Sequence, residues 1–145
     1  MSIKKKIYGL VLSGAVVLSI GSFTAFAADG NYRDEAYSYG FPIGTTTDYT
    51  DARTKINDTS SYMKLQKLTG ATSPSYTASV VDFNGNNFSK VWYVTFNKSS
   101  LNQGRYIKNF AWEDNKKEVQ VRIKAVRGAD KNGFSASGVW SPDSI

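Results

Sequence analysis

Three pairs of acidic residues lie close enough in sequence to suggest acid–base chemistry: Asp34 with Glu35, Asp48 with Asp51, and Glu113 with Asp114. Glycoside hydrolysis needs two carboxylates held roughly 5–10 Å apart across a cleft. Here each pair sits among polar, turn-like neighbours and reads as ordinary loop acids. The chain has no histidine and no cysteine. That removes Ser-His and Cys-His nucleophile systems, the commonest zinc ligand and the usual neutral-pH base. Only carboxylates, lysine or tyrosine remain for catalysis, and none is marked for it. The expectation is a protein that is not an enzyme and needs no cofactor.

A metal site fares no better. Asp82-Phe83-Asn84-Gly85-Asn86 begins like a calcium loop. It then places Asn87 where glycine is needed and Tyr93 where a bidentate glutamate is needed. The same residues suit a tight hairpin, because Asn-Gly favours positive φ.

Binding chemistry has two candidates. The first is the tyrosine group Tyr32, Tyr37 and Tyr39, which could form an aromatic platform for sugar or peptide. The competing reading is that these rings pin an irregular arm to a sheet. The second is charge. The chain carries 18 basic and 12 acidic side chains, and three of the basic ones are Lys4, Lys5 and Lys6. From Ala28 to Met63 acids outnumber bases; from Lys64 onward bases outnumber acids. A basic C-terminal part suits an anionic envelope polymer, or a protein, as partner. Lys108, Arg122, Lys124 and Arg127 are the candidate contacts, unless this is simply a solvated face. The small net charge left once the first lysines are set aside argues against nucleic acid.

The elements that must position these residues are strands. Glu118 to Val126 alternates cleanly, with Val119, Val121, Ile123 and Ala125 on one side and Gln120, Arg122 and Lys124 on the other. Tyr62 to Leu68, Tyr76 to Phe83, Lys90 to Phe96, Arg105 to Trp112 and Phe134 to Trp140 also read as strands. Asn84-Gly85 and Asn132-Gly133 read as hairpin turns. Tyr49 to Asn57 is either a weak strand or a short helix over Thr50 to Ile56. The expected fold is all-β, a small antiparallel β-sandwich of six to seven strands, with an open barrel as the alternative. Its core would use Trp92, Val94, Phe96, Val119, Val121, Ile123 and Trp140, with the three tryptophans dominant.

Residues 1–27 read as a cleaved secretory signal peptide. Lys4 to Lys6 form the charged start, Ile7 to Ile20 the apolar run, and Ala25-Phe26-Ala27 the cleavage site. Residues 28–60 read as an irregular, aromatic-rich arm and residues 61–145 as the β-sandwich body. No later apolar run reaches membrane-spanning length, and there is neither a lipid-anchor cysteine nor a wall-sorting motif. The expected location is extracellular.

The closing stretch Ser137-Gly138-Val139-Trp140-Ser141-Pro142-Asp143-Ser144 is the most distinctive. Gly138 allows a bulge or close approach, and Pro142 stops the strand. Together with Tyr49-Thr50-Asp51-Ala52-Arg53 and the Val121-Arg122 to Ala125 strand, it resembles a DUF2712-like family of small secreted Gram-positive proteins of unknown function. The resemblance runs from Phe41 to Asp143, implies a signal peptide and a β-rich body, and brings no catalytic residues. In size, leader and class the chain is also similar to the lactococcin-972-like bacteriocins, whose histidine-containing motif it lacks. The function expected is extracellular binding to an envelope or protein target; the alternative is antibacterial action on the wall or membrane of related cells.

Overall fold

The structure, a computed structural model, describes residues 30–145. The proposed signal peptide lies outside the described residues. Nine strands run in order: β1 (Glu35–Phe41), β2 (Thr47–Tyr49), β3 (Arg53–Lys55), β4 (Ser61–Gly70), β5 (Ser75–Asp82), β6 (Val94–Asn97), β7 (Gly104–Ile107), β8 (Val119–Arg127) and β9 (Phe134–Ser141). One short helix, α1 (Ala111–Asn115), and a single 3-10 turn at Lys98–Ser100 interrupt them.

Two antiparallel sheets form a sandwich. The first has the order β1-β9-β4-β7; the second has β2-β8-β5-β6, with β3 also paired to β8. The β-sandwich expectation therefore holds, with nine strands in place of six or seven. The extra strands come from the segment read as an irregular arm. Residues 35–41 pair along their whole length with β9, from Glu35 opposite Trp140 to Phe41 opposite Phe134. Residues 47–49 and 53–55 share the β8 edge, broken by a bulge. There the Thr50 hydroxyl accepts from the Ile123 amide at 2.9 Å, in place of a ladder bond. No helix forms over Thr50 to Ile56.

The core is more aromatic than periodicity suggested. Tyr37, Tyr39, Phe41, Tyr76, Phe96, Phe134 and Trp140 are all buried with Met63, Leu65, Val121 and Ile123. Tyr76 stacks on Phe96 at 5.2 Å, and Phe41 on Phe134 at 4.7 Å. Buried hydroxyls need partners. Tyr37 and Tyr76 bond each other at 3.0 Å, and the Tyr39 hydroxyl donates to the Ile123 carbonyl at 3.3 Å.

Four expected core residues, Phe96, Val121, Ile123 and Trp140, are buried, and Val94 and Val119 pack half-buried against them. Trp92 is a correction. The strand expected over Lys90 to Phe96 forms only from Val94, with a single bridge at Val91 before it, so Trp92 stays on the flank, half-exposed. Trp112 is also only half-buried, because β7 ends at Ile107 and the chain turns into α1. The Asn132-Gly133 turn does not close a hairpin either. It carries the chain from β8 in one sheet to β9 in the other. By contrast Asn84-Gly85 does reverse the chain, with Gly85 at φ +85° and its amide donating to the Asp82 carbonyl.

Gly138 is a position of close approach. A Cβ there would lie 2.0 Å from the Lys64 carbonyl oxygen. The β4–β9 register shifts at this level, between Leu65 and Lys67. The bulge read from the closing stretch is thus made by β4 folding over a residue with no side chain. Among the described residues no helix is long and apolar enough to cross a membrane.

Candidate functional site

The tyrosine platform is taken apart by the fold. Tyr37 and Tyr39 alternate inward on β1 and are buried, so they do the pinning that was the competing reading. Burial pushes the Tyr37 hydroxyl up to about 12, only partly offset by its bond to Tyr76. Tyr39 is raised well above the usual tyrosine range, first by burial and then by the charges of Tyr37 and Asp48. Tyr32 stays near the surface and bonds Asn57 through its hydroxyl at 3.1 Å.

The four cations go to three places. Arg122 and Lys124 share the outer face of β8, opposite Val81 and Ser79 of β5. The Arg122 guanidinium sits 5.1 Å from the centre of the Tyr49 ring and donates through Nε to the Thr50 carbonyl at 2.9 Å. Lys108 lies just beyond β7, with its ammonium 5.0 Å from the Trp92 ring. Arg127 is structural. It donates to the carbonyls of Phe41 (2.8 Å), Asn132 (3.0 Å) and Lys131 (3.2 Å), and lies over Phe134. That wiring clamps the β8–β9 crossing to the end of β1.

The Lys108 contact belongs to a larger cluster. Lys90 lies 4.7 Å from the Phe110 ring, and Phe110 lies 5.4 Å from Trp92. A bridge between Val91 and Asn109 ties the segment before β6 to the segment after β7, which places two aromatic rings beneath two lysines. Cations over ring faces gain about 0.5–1 kcal/mol when exposed and keep their charge available to solvent. Tyr93 and Phe83 are exposed apolar groups of the same part of the chain. Sequence reasoning missed Lys90 and Phe110, because it placed Trp92 inside.

Charge pairing separates the two halves of the chain. Among the described residues two ion pairs form, Arg53 with Glu35 and Lys55 with Asp143. Among the described residues, no lysine or arginine from Lys64 onward has a carboxylate within 4.0 Å. Three of the acids there, Asp82, Asp114 and Asp130, are committed to backbone, amide and hydroxyl groups. Asp82 accepts from the amides of Asn84 and Asn86, Asp114 from Ser89, and Asp130 from Ser73 and Asn132. Slight burial pushes the Asp82 carboxyl up, but the bonds from Asn86, Asn84 and Gly85 together hold it below the usual range. No group of metal-ligating side chains forms there among the described residues.

A second feature lies across the sandwich. Tyr62 on β4 and Tyr106 on β7 are directly opposed and face outward, with ring centres 5.6 Å apart. Gly104 makes this possible, since a Cβ there would lie 2.6 Å from the Tyr62 ring. Tyr32, Asp34, Ser141 and Asp143 complete a cleft of about 210 Å³ around the two rings.

The sequence pattern of a protein of unknown function, DUF2712, matches residues 23–144. The chain belongs to the DUF2712 family. No curated protein and no solved structure matches it. The match takes in both sheets and the closing stretch of this DUF2712 protein.

Proposed function

We propose that this DUF2712 protein is a secreted, non-enzymatic protein of a Gram-positive bacterium that binds an anionic polymer of the cell envelope. The observation that supports this reading most is the set of cations from Lys64 onward, none with a carboxylate within 4.0 Å among the described residues. Solubility alone is served by charges of both signs interspersed over the surface. Unpaired cations over half-buried rings, with Tyr93 exposed beside Trp92 in sequence, suit a ligand that alternates anionic groups with sugar faces. Phosphates would meet Lys90, Lys108, Arg122 and Lys124, and the faces of sugars would meet Trp92 and Tyr93. Arg127 has no part in this, because its guanidinium is spent on carbonyls.

Sedimentation with purified Gram-positive walls at low and high salt tests the reading. Binding that fades as salt shortens the electrostatic reach to about 8 Å or less is expected. The Lys90→Glu/Lys108→Glu and Arg122→Glu/Lys124→Glu variants should each lose most of it. Failure of the wild type to sediment at low salt, or sedimentation of both variants equal to that of the wild type, would rule the reading out.

A further inference from the structure

The cleft between β4, β7 and the N-terminal segment is anionic and aromatic, the reverse of the cationic surface described above. We propose that it binds an organic ammonium group, with the rings of Tyr32, Tyr62 and Tyr106 as walls and the Asp34 carboxylate as counter-ion.

Three observations converge on this. The first is the walls. Tyr62 and Tyr106 are tilted by 57° rather than stacked flat, so their faces open onto a shared space instead of covering each other. Tyr106 is 60% exposed and Tyr32 is 38% exposed, so ring surface is free on both. Exposed aromatic faces carry negative potential and attract cations, and cages of them take up alkylammonium groups.

The second is charge. Asp34 has neither an ion pair nor a hydrogen bond among the described residues, whereas its neighbour Glu35 is 3.4 Å from Arg53. Arg33 adjoins it in sequence and Lys64 follows on the outer face of β4, yet neither nitrogen lies within 4.0 Å of the Asp34 carboxylate. Asp143 also lines the cleft, but its carboxylate is taken by Lys55 and by the amides of Asn31 and Ile56. Of the two aspartates that line the cleft, Asp34 alone is uncompensated among the described residues. The Tyr62 hydroxyl reports the same field, raised by burial first and then by Asp34.

The third is size. The cleft's volume, about 210 Å³, has room for a headgroup and a short alkyl stem, not for a run of sugars. A neutral sugar could stack on one ring, but it would leave Asp34 unanswered. A quaternary choline-type headgroup and the primary amine of a lysyl side chain share the required chemistry.

Titration of the purified protein by NMR or calorimetry distinguishes them. The probes are choline chloride, Nα-acetyl-lysine amide, and the uncharged tert-butyl analogue of choline. Saturable binding of at least one cation in the roughly millimolar range or tighter is expected, with the uncharged analogue about tenfold weaker. Preference for choline points to a headgroup, and preference for the lysine derivative to a peptide. Tyr106→Ala should weaken binding about tenfold and Asp34→Asn roughly two- to fivefold, while Tyr106→Phe keeps the ring and the affinity. Both sites are on the surface, so unchanged thermal unfolding confirms that the variants fold. The Arg122→Glu/Lys124→Glu variant should bind the ammonium probes as wild type does, which separates this site from the polymer-binding surface. Equal affinity for the uncharged analogue, no saturable binding of either cation, or an unaffected Tyr106→Ala variant would overturn the proposal.

Discussion

Lys55 and Asp143 meet at 2.8 Å with neither side chain exposed to solvent, although 88 residues separate them. The Lys55 ammonium also donates to the carbonyls of Thr59 and Pro142, so its donors are all placed. Asp143 accepts from the amides of Asn31 and Ile56. This pair fastens the closing stretch to both the N-terminal segment and β3. Burial lowers the Lys55 pKa, and Asp143 offsets that only in part, so desolvation is the larger effect. Breaking such a pair leaves a lone buried charge. Asp143→Ala is expected to cost about 3–5 kcal/mol in urea denaturation, most of the stability of a small domain. A loss below about 1 kcal/mol would mean that solvent already reaches the pair.

The tryptophans should divide sharply. Trp140 is buried beneath the Arg53 guanidinium, 5.4 Å from its ring centre. Trp140→Ala should cost about 3–5 kcal/mol. Trp92→Ala removes a half-exposed ring beside Lys108 and should cost no more than about 1 kcal/mol. Equilibrium unfolding of the two variants side by side checks this, and similar losses would place Trp92 in the core after all.

Alkaline pH should unfold the protein through its core tyrosines. Tyr37, Tyr39 and Tyr76 are all raised above the ordinary value of 10.0, chiefly by burial. A raised folded-state pKa means that the folded protein holds its proton longer than the unfolded chain does. The contribution is therefore fully present below pH 10.0 and falls as pH rises through about 12, the value for Tyr37. Unfolding free energy measured from pH 8 to about 12 should turn down above about pH 10. Tyr37→Phe should lower stability near neutrality, because it orphans the Tyr76 hydroxyl, yet flatten the alkaline decline. An equally steep decline in that variant would show that other groups carry it.

Gly138→Ala tests the bulge. A methyl group placed 2.0 Å from the Lys64 carbonyl cannot be accommodated while β4 and β9 stay paired. We expect a loss of more than about 3 kcal/mol, well beyond an ordinary glycine-to-alanine change in a strand. Hydrogen exchange should localise the loss to β4 and β9. Protection equal to wild type at Leu65 and Ser137 would contradict the assignment.

Alternation made much of the sandwich legible. β4, β5, β8 and β9 are long enough for period two to show, and all four lie where expected. β1 also alternates, with Tyr37, Tyr39 and Phe41 inward, but Gly40 and the serines beside them look like loop composition, and its partner β9 is a hundred residues away along the chain. Trp92 lies outside the core because hydrophobic identity is not burial, in a segment that has a strand's composition but only one bridge, from Val91 to Asn109. The cationic residues could be named from the charge split, but not grouped. Whether a guanidinium faces water, a ring or three carbonyls depends on neighbours brought by the fold, as Arg122 and Arg127 show. Tyr62 and Tyr106 could be seen as outward-facing strand residues. Only the β4–β7 register makes them a pair.

The pairing of Glu35 with Trp140 sets a condition on how the chain acquires its shape. The first strand rests against the last, and β4 also needs β9 along most of its length. A chain that emerges N-terminus first has no partner for β1 until about the whole of β9 has followed it. Nearly every strand pair but β5–β6 likewise joins segments distant in sequence. Such non-local topologies fold in roughly milliseconds to seconds rather than microseconds. The second sheet contains no part of β9, so only the first must wait for the closing stretch before its strands can all be paired.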